Sequence, residues 1–91
     1  MTQSVFNAKY EQFRSMLVSQ RASLGLTQAG LAVLLSKPQS FVSKYERGER
    51  RLDLIEFLGL AKVLGINVHE FIDRLDLPSE DNSSEDADLS R

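Results

Sequence analysis

The sequence predicts an all-α domain of five helices. Apolar residues recur at three- and four-residue spacing in five stretches, and glycine, proline or a helix-capping residue stands at most of their ends. No stretch alternates apolar and polar residues in the way of a half-buried strand. With 91 residues, 42% of them hydrophobic, the chain supports one small core and has no room for a second domain.

The first helix is expected to run from about Asn7 or Ala8 to Ser23. Its apolar face is predicted to carry Tyr10, Phe13, Leu17 and Leu24, and Gly25 is a typical C-terminal stop. Residues 1–6 before it are expected to be flexible.

The second helix should begin at Gln28, because the Thr27 hydroxyl can cap its unpaired backbone donors. Its apolar face is predicted to consist of Leu31, Leu34 and Leu35. Ala32 lies between them, and a small side chain there lets another helix cross closely. The helical pattern then breaks at Ser36-Lys37-Pro38.

A third helix is predicted from about Pro38, since proline suits a first helical position. At about 100° per residue, Phe41, Val42 and Tyr45 share one apolar face. The opposite face is formed by Gln39, Ser40, Ser43, Lys44 and Arg47. It carries amide, hydroxyl and cationic groups and no carboxylate, which is the inventory needed to bind base edges and phosphates.

The fourth helix should start after Asp53, a plausible N-cap, and end at Gly65. Asn67 followed by Glu70 resembles a capping box for a fifth helix. Apolar residues of that helix either complete the core or form a two-fold contact between copies: Phe71, Ile72 and Leu75. The folded domain is therefore predicted over residues 7–77.

Charge divides the chain into two parts. Residues 76–91 hold six acidic side chains and one basic side chain, a net charge of −5, whereas residues 1–75 are net +3. Residues 78–91 are accordingly expected to form an acidic, disordered tail. This tail is either a solvated end or a competitor of DNA phosphates for the basic face of the domain.

Several classes of protein are disfavoured by composition. The absence of cysteine excludes disulfides, and no apolar run approaches the length of a membrane span, so a cytoplasmic protein is expected. His69 has no clustered ligands, no base is placed near a nucleophile, and the sequence has no glycine-rich phosphate loop. We therefore expect no catalysis, no cofactor and no metal.

Four motifs carry a family resemblance. They are Arg21 seven residues before Gln28, the L-T-Q-A-x-L-A run over 26–32, Y-E-R-G over 45–48 and L-A-K-V-L-G-I over 60–66. Together, in this order, they resemble the helix-turn-helix domains of the lambdoid phage repressor and Cro type, the XRE family. The resemblance implies a lambda-repressor-like fold whose third helix lies in the DNA major groove, and dimers that read half-sites about one helical turn apart.

The same resemblance implies a set of contact residues. Base contacts are expected from Gln39, Ser40 and Lys44, while Ser43 could reach a base or a phosphate, and Phe41 could be core edge or touch a thymine methyl group. Phosphate contacts are expected from Thr27, Gln28, Lys37, Arg47, Arg50 and Arg51. Arg21 and Glu46 are expected to form a salt bridge that orients the third helix.

The sequence thus predicts a transcriptional regulator that binds a palindromic operator in double-stranded DNA as a homodimer, with repression favoured. The alternative is an antitoxin-type or adaptor protein, whose helix-turn-helix domain also binds a protein partner. A helical domain that has lost DNA binding is disfavoured by the carboxylate-free face of the third helix.

Overall fold

A computed structural model describes residues 5–76, with side chains from Asn7 onward, and this part of the chain contains five helices and no strand. The helices are α1 Val5–Ser23, α2 Gln28–Leu35, α3 Gln39–Glu46, α4 Leu54–Leu64 and α5 Val68–Asp76. The predicted all-α fold of five helices is confirmed. α1 begins two residues earlier than predicted, and both residues 1–4 and the predicted acidic tail at 78–91 lie outside the described residues.

All five helices contribute to one core. The buried apolar residues are Leu17 of α1, Leu31 and Ala32 of α2, Val42 and Tyr45 of α3, Phe57, Leu60, Ala61 and Leu64 of α4, and Phe71 of α5. Phe13, Phe57 and Phe71 pack as a three-ring cluster with centroids 5.1–5.9 Å apart. This cluster joins α1, α4 and α5, while α2 packs against α3 and α4, and α3 packs against α1.

The apolar face of α2 differs from its prediction at one position. Leu34 is 55% exposed, whereas Leu31 is fully buried and Ala32 is 3% exposed. The small side chain therefore turns inward, and α2 packs closely against both α3 and α4. Leu24, which was predicted on the apolar face of α1, is also 51% exposed because it lies beyond the end of that helix.

The turn between α2 and α3 is built by Ser36 in a left-handed conformation, with φ 58° and ψ 43°. This geometry lets the Lys37 backbone N–H donate to the Ala32 carbonyl and closes α2. Pro38 then has ψ 153°, which is extended and not helical, so it is the N-cap residue and α3 begins at Gln39. The predicted start at Pro38 is wrong by this one residue.

Replacing Ser36 with glycine is expected to stabilise the domain. A side chain in the left-handed region costs about 1–2 kcal/mol, and the greater freedom of glycine in the unfolded chain offsets about 0.4–1 kcal/mol of the gain. The free energy of unfolding, measured by urea denaturation, should rise by about 0.5–1 kcal/mol. Ser36→Ala keeps the left-handed side chain and is the control; an equal gain in both variants would contradict this explanation.

The predicted caps of the last two helices are confirmed. Asp53 accepts from the Glu56 backbone N–H at 2.8 Å, and the Glu56 carboxylate accepts from the Asp53 N–H at 3.0 Å, which completes a capping box. Gly65 ends α4 with φ 69°, and Asn67 caps α5 by accepting from the Glu70 N–H. Because the capping box orders the start of α4, it also places Glu56 beside the loop that leaves α3.

Candidate nucleic-acid interface

One side of α3 is held in the core and the other is open to solvent. Val42 and Tyr45 are fully buried, and burial raises the pKa of the Tyr45 phenol. On the outer side Gln39, Ser40 and Lys44 are exposed and Ser43 is half-buried. We call these four residues the polar face of α3; none of them is a carboxylate, and their arrangement agrees with the two faces predicted from sequence.

A buried carboxylate fixes the C-terminal end of α3. Glu46 is 7% exposed, and its two oxygens accept from Arg21 at 2.7 Å and 3.0 Å. The Gln28 side-chain amide donates to the same carboxylate at 2.8 Å. Arg21 also donates to the Leu26 carbonyl at 2.7 Å, and the Glu46 hydrogen bond raises the pKa of its guanidinium. Glu46 therefore links α3 to both α1 and α2.

A further link between α1 and α3 comes from Arg14. Its guanidinium donates to the Glu46 carbonyl oxygen and to the Glu11 carboxylate, and the same guanidinium lies beside Gly48, whose φ is +80°. Sequence reasoning missed this residue. The only signal available was Glu11 three residues earlier on the same helix, which is too common a spacing to identify a tertiary contact.

Thr27 and Gln28, both predicted to contact phosphate, already have partners inside the protein. The Thr27 hydroxyl accepts from the Gly30 backbone N–H at 2.9 Å and so caps α2, as the sequence predicted. The Gln28 amide is engaged by Glu46. If the Gln28 side chain binds a phosphate, this hydrogen bond has to break or be shared.

Phe41 lies between the polar face of α3 and the basic residues around it. Its ring is half-buried and packs edge-on against Tyr45, with centroids 5.6 Å apart. The Lys37 ammonium is 5.4 Å from the ring centroid and the Arg50 guanidinium carbon is 4.8 Å from it. A cation above an aromatic face is attracted by the ring quadrupole, so Phe41 gathers two of the predicted phosphate contacts beside α3.

The other predicted phosphate contacts are exposed and have internal partners. Arg47 forms two bonds of 2.9 Å and 3.0 Å to Glu49. Arg51 lies over the Tyr10 ring at 4.0 Å, and the Tyr10 hydroxyl in turn accepts from the Leu52 backbone N–H. Both arginines are therefore held by contacts on the protein surface that the sequence did not predict.

Arg50 is held by several hydrogen bonds to neighbouring residues. It donates to both oxygens of Glu56, at 3.0 Å and 2.7 Å, and to the Arg51 carbonyl. The hydrogen bonds from Arg50, together with the bond from the Asp53 backbone, lower the pKa of Glu56 to about 2. The Arg47 hydrogen bond likewise lowers the pKa of Glu49. Both carboxylates are therefore charged at neutral pH.

The pKa of Glu56 gives a direct test of this geometry. A ¹³C NMR titration of the Glu56 carboxyl should give a pKa near 2, and Arg50→Gln should move it back toward the ordinary glutamate value of about 4.3. Because the folded-state pKa is lowered, the stabilisation is complete above about pH 4.3 and is lost as the pH falls toward 2. A pKa that Arg50→Gln leaves unchanged would contradict the role of the ion pair.

Among residues 5–76, no group of three or more histidine, cysteine or acidic side chains is placed to hold a metal ion. In the same part of the chain, no helix is both long and apolar enough to cross a membrane.

Two short helices joined by a three-residue turn, the second with a buried face and an exposed polar face, define a helix-turn-helix protein. A helix-turn-helix family model, HTH_3, matches residues 17–71. The chain belongs to the XRE-type helix-turn-helix family of DNA-binding transcription regulators, as the motifs indicated.

Solved structures support the same assignment. An XRE-family like protein from Pseudomonas syringae pv. tomato str. DC3000 is 40% identical, with a TM-score of 0.76 over 79% of this chain and 88% of that one. The restriction-modification controller protein C.AhdI from Aeromonas hydrophila is 36% identical, with a TM-score of 0.63 over 70% of this chain and 97% of that one. A search of the curated proteins found no match.

Proposed function

We propose that the protein is a sequence-specific repressor that inserts α3 into the DNA major groove. The observation that carries this proposal is the polar face of α3, largely exposed and free of carboxylates, on a helix whose opposite side is anchored by the fully buried Val42 and Tyr45. An α-helix fits the major groove of B-DNA, where the four base pairs present distinct patterns of donors and acceptors. The buried bonds of Glu46 support the proposal because they fix the orientation of this helix.

Each residue of the polar face is assigned a contact by its chemistry. Gln39 can pair with adenine through two hydrogen bonds, and Lys44 can donate to guanine. Ser40 and Ser43 can donate to or accept from either base. The Ser43 hydroxyl has only a long contact, 3.4 Å, to the Ser40 carbonyl within α3, so it can reorient toward a base at little cost. We therefore propose a mixed adenine and guanine readout by this face.

Phosphate contacts are assigned to the residues around that face. Arg47 directly follows α3, and Lys37 and Arg50 flank Phe41 of that helix. Arg51 lies farther along, over Tyr10 on α1. The backbone at the start of α2, around Thr27 and Gln28, is a fifth candidate because helix N-termini favour anions. Such contacts set affinity and register without reading sequence.

Dimerisation on DNA is the last part of the proposal. Phe71 is buried and Leu75 is half-buried, but Ile72 on the same helix is 48% exposed. We assign Ile72 to a two-fold contact between copies, which would present two α3 helices to a palindromic operator. C.AhdI is a controller protein, and that name favours control of transcription for this chain too. A dimer seated over a promoter would block access by RNA polymerase.

Selection of bound duplexes from random DNA tests the whole assignment. The expected product is an inverted repeat whose half-sites are centred about 10 base pairs apart, bound with Kd about 10⁻⁸ to 10⁻¹¹ M at physiological salt. Adenine and guanine should dominate the positions that Gln39→Ala and Lys44→Ala then relax. Recovery of no enriched sequence would overturn the proposal, and an enriched single half-site would overturn the dimer.

A further inference from the structure

Two of the arginines next to α3 are neutralised by carboxylates of the same chain. Arg47 binds both oxygens of Glu49, and Arg50 binds both oxygens of Glu56. Both pairs have the bidentate geometry in which two N–H groups of a guanidinium face two acceptor oxygens. A phosphate group uses the same geometry, so a DNA phosphate and these carboxylates would occupy the same donor atoms.

This arrangement changes the electrostatics of phosphate binding. A free cation that contacts DNA releases condensed counterions, which gives each contact a salt dependence with slope about −0.9 on a logarithmic plot. An arginine that is paired with a glutamate must give up that carboxylate before it can bind a phosphate. The released glutamate stays near the DNA and repels it. Such a pair therefore contributes little net charge to binding, although its arginine lies beside the proposed interface.

We propose that Glu49 and Glu56 are internal counterions that compete with DNA phosphates for Arg47 and Arg50 and so limit sequence-independent affinity. This inference rests on the function proposed above, in which α3 and its neighbouring arginines face DNA. The polar face itself contains no carboxylate, so the two glutamates restrain phosphate contacts and leave base contacts untouched. Phosphate contacts therefore contribute a smaller share of the binding free energy, and base contacts contribute a larger share.

The surroundings of the two pairs support this role. Glu56 is kept in place by the capping box, where it also accepts from the Asp53 N–H, so its position does not depend on Arg50 alone. Arg50 is additionally held over the Phe41 ring at 4.8 Å. The positive charge of Lys37 helps to lower the pKa of Glu56, and that of Lys44 helps to lower the pKa of Glu49, so both carboxylates are kept charged. Each glutamate thus lies within the field of the basic residues that surround α3.

The test is the salt dependence of DNA binding by Glu49→Gln, Glu56→Gln and the double variant. Glutamine can preserve the capping box of α4, because its amide oxygen can accept from Asp53. Per bound protomer, the slope of log K against log salt should steepen by about 0.9 for each substitution, and affinity at 0.1 M salt should rise by about fivefold to tenfold. The gain should be the same for a selected site and for an unrelated duplex.

Glu70→Gln is the matched control, since it removes one exposed negative charge on α5 and releases no arginine. Slopes and affinities equal to those of Glu70→Gln would overturn the inference. Arg47→Gln and Arg50→Gln provide a second readout. Each should weaken DNA binding more when its partner glutamate has already been replaced by glutamine than in the native chain. If the native chain binds no duplex at all, the proposed function itself fails, and that outcome is distinct from unchanged slopes.

Discussion

Glu46→Ala is expected to lower the free energy of unfolding by about 3–5 kcal/mol, because it leaves a largely buried guanidinium without its partner. The Arg21 side chain is only 16% exposed, so its guanidinium does not recover full hydration once the Glu46 carboxylate, 5% exposed in the native domain, is removed. The Gln28 amide also loses its acceptor. In a domain of this size, thermal denaturation should show a fall in Tm of at least about 12 °C.

A neighbouring glutamate provides the control. Glu49→Ala removes an ion pair whose members are 55% and 54% exposed, and such a pair is worth under about 1 kcal/mol. If the Tm of Glu46→Ala were no lower than that of Glu49→Ala, the buried pair would contribute nothing to the stability of the domain. That result would also remove the main reason for regarding α3 as fixed in orientation.

Charge reversal of Lys44 and Arg51 together should reduce DNA affinity by about 10³-fold. Each lost contact is worth about 1–3 kcal/mol, and the new carboxylates repel the phosphates as well. Lys44 belongs to the polar face and Arg51 to the proposed backbone contacts, so the double variant loses both kinds of interaction. Fluorescence anisotropy with a selected duplex at fixed salt measures the effect.

The control for charge reversal carries the same change in net charge at a distance from α3. Lys62 on α4 and Arg74 on α5 are both exposed, and Lys62→Glu/Arg74→Glu should weaken binding only slightly. Comparable losses in the two double variants would show that net charge, and not a localised face, governs binding. A variant that lost DNA but retained a protein partner would favour the antitoxin-type alternative.

Helix positions were predictable because their signals are local. Thr27, Asp53 and Asn67 each accept from a backbone N–H three residues later, and Gly25 and Gly65 have positive φ just beyond a helix. The start of α1 has no such signal. The first turn of α1 contains no acidic residue, and its start at Val5 was predicted two residues too late.

The contacts around α3 were only partly predictable. The family resemblance implied that Arg21 and Glu46 pair, and they do lie in contact across 25 positions of sequence. Neither Gln28 nor Arg14 could be added to this group, because both depend on how α1 and α2 pack against α3. The polar face of α3 could be predicted because the placement of residues around a single helix depends only on the sequence of that helix.

The partners of the arginines illustrate the same limit. Arg50 and Glu56 are six residues apart, one in a loop and one in the first turn of α4, and no periodic pattern joins them. Arg47 and Glu49 are separated by one residue at a reversal of the chain. Charge counts in the sequence report a net charge of +3 over residues 1–75, whereas in the structure the charges of Arg47 and Arg50 are balanced locally by Glu49 and Glu56.

The anchoring of Glu46 has a consequence for the shape of a complex. Because α3 is tied to α1 through Arg21 and Arg14 and to α2 through Gln28, tilting it would break several partly buried hydrogen bonds at once. In a complex of the proposed kind, the duplex would have to bend or twist to meet the protein. Discrimination would then extend to base steps that no side chain touches, since their stiffness sets the energy of that deformation.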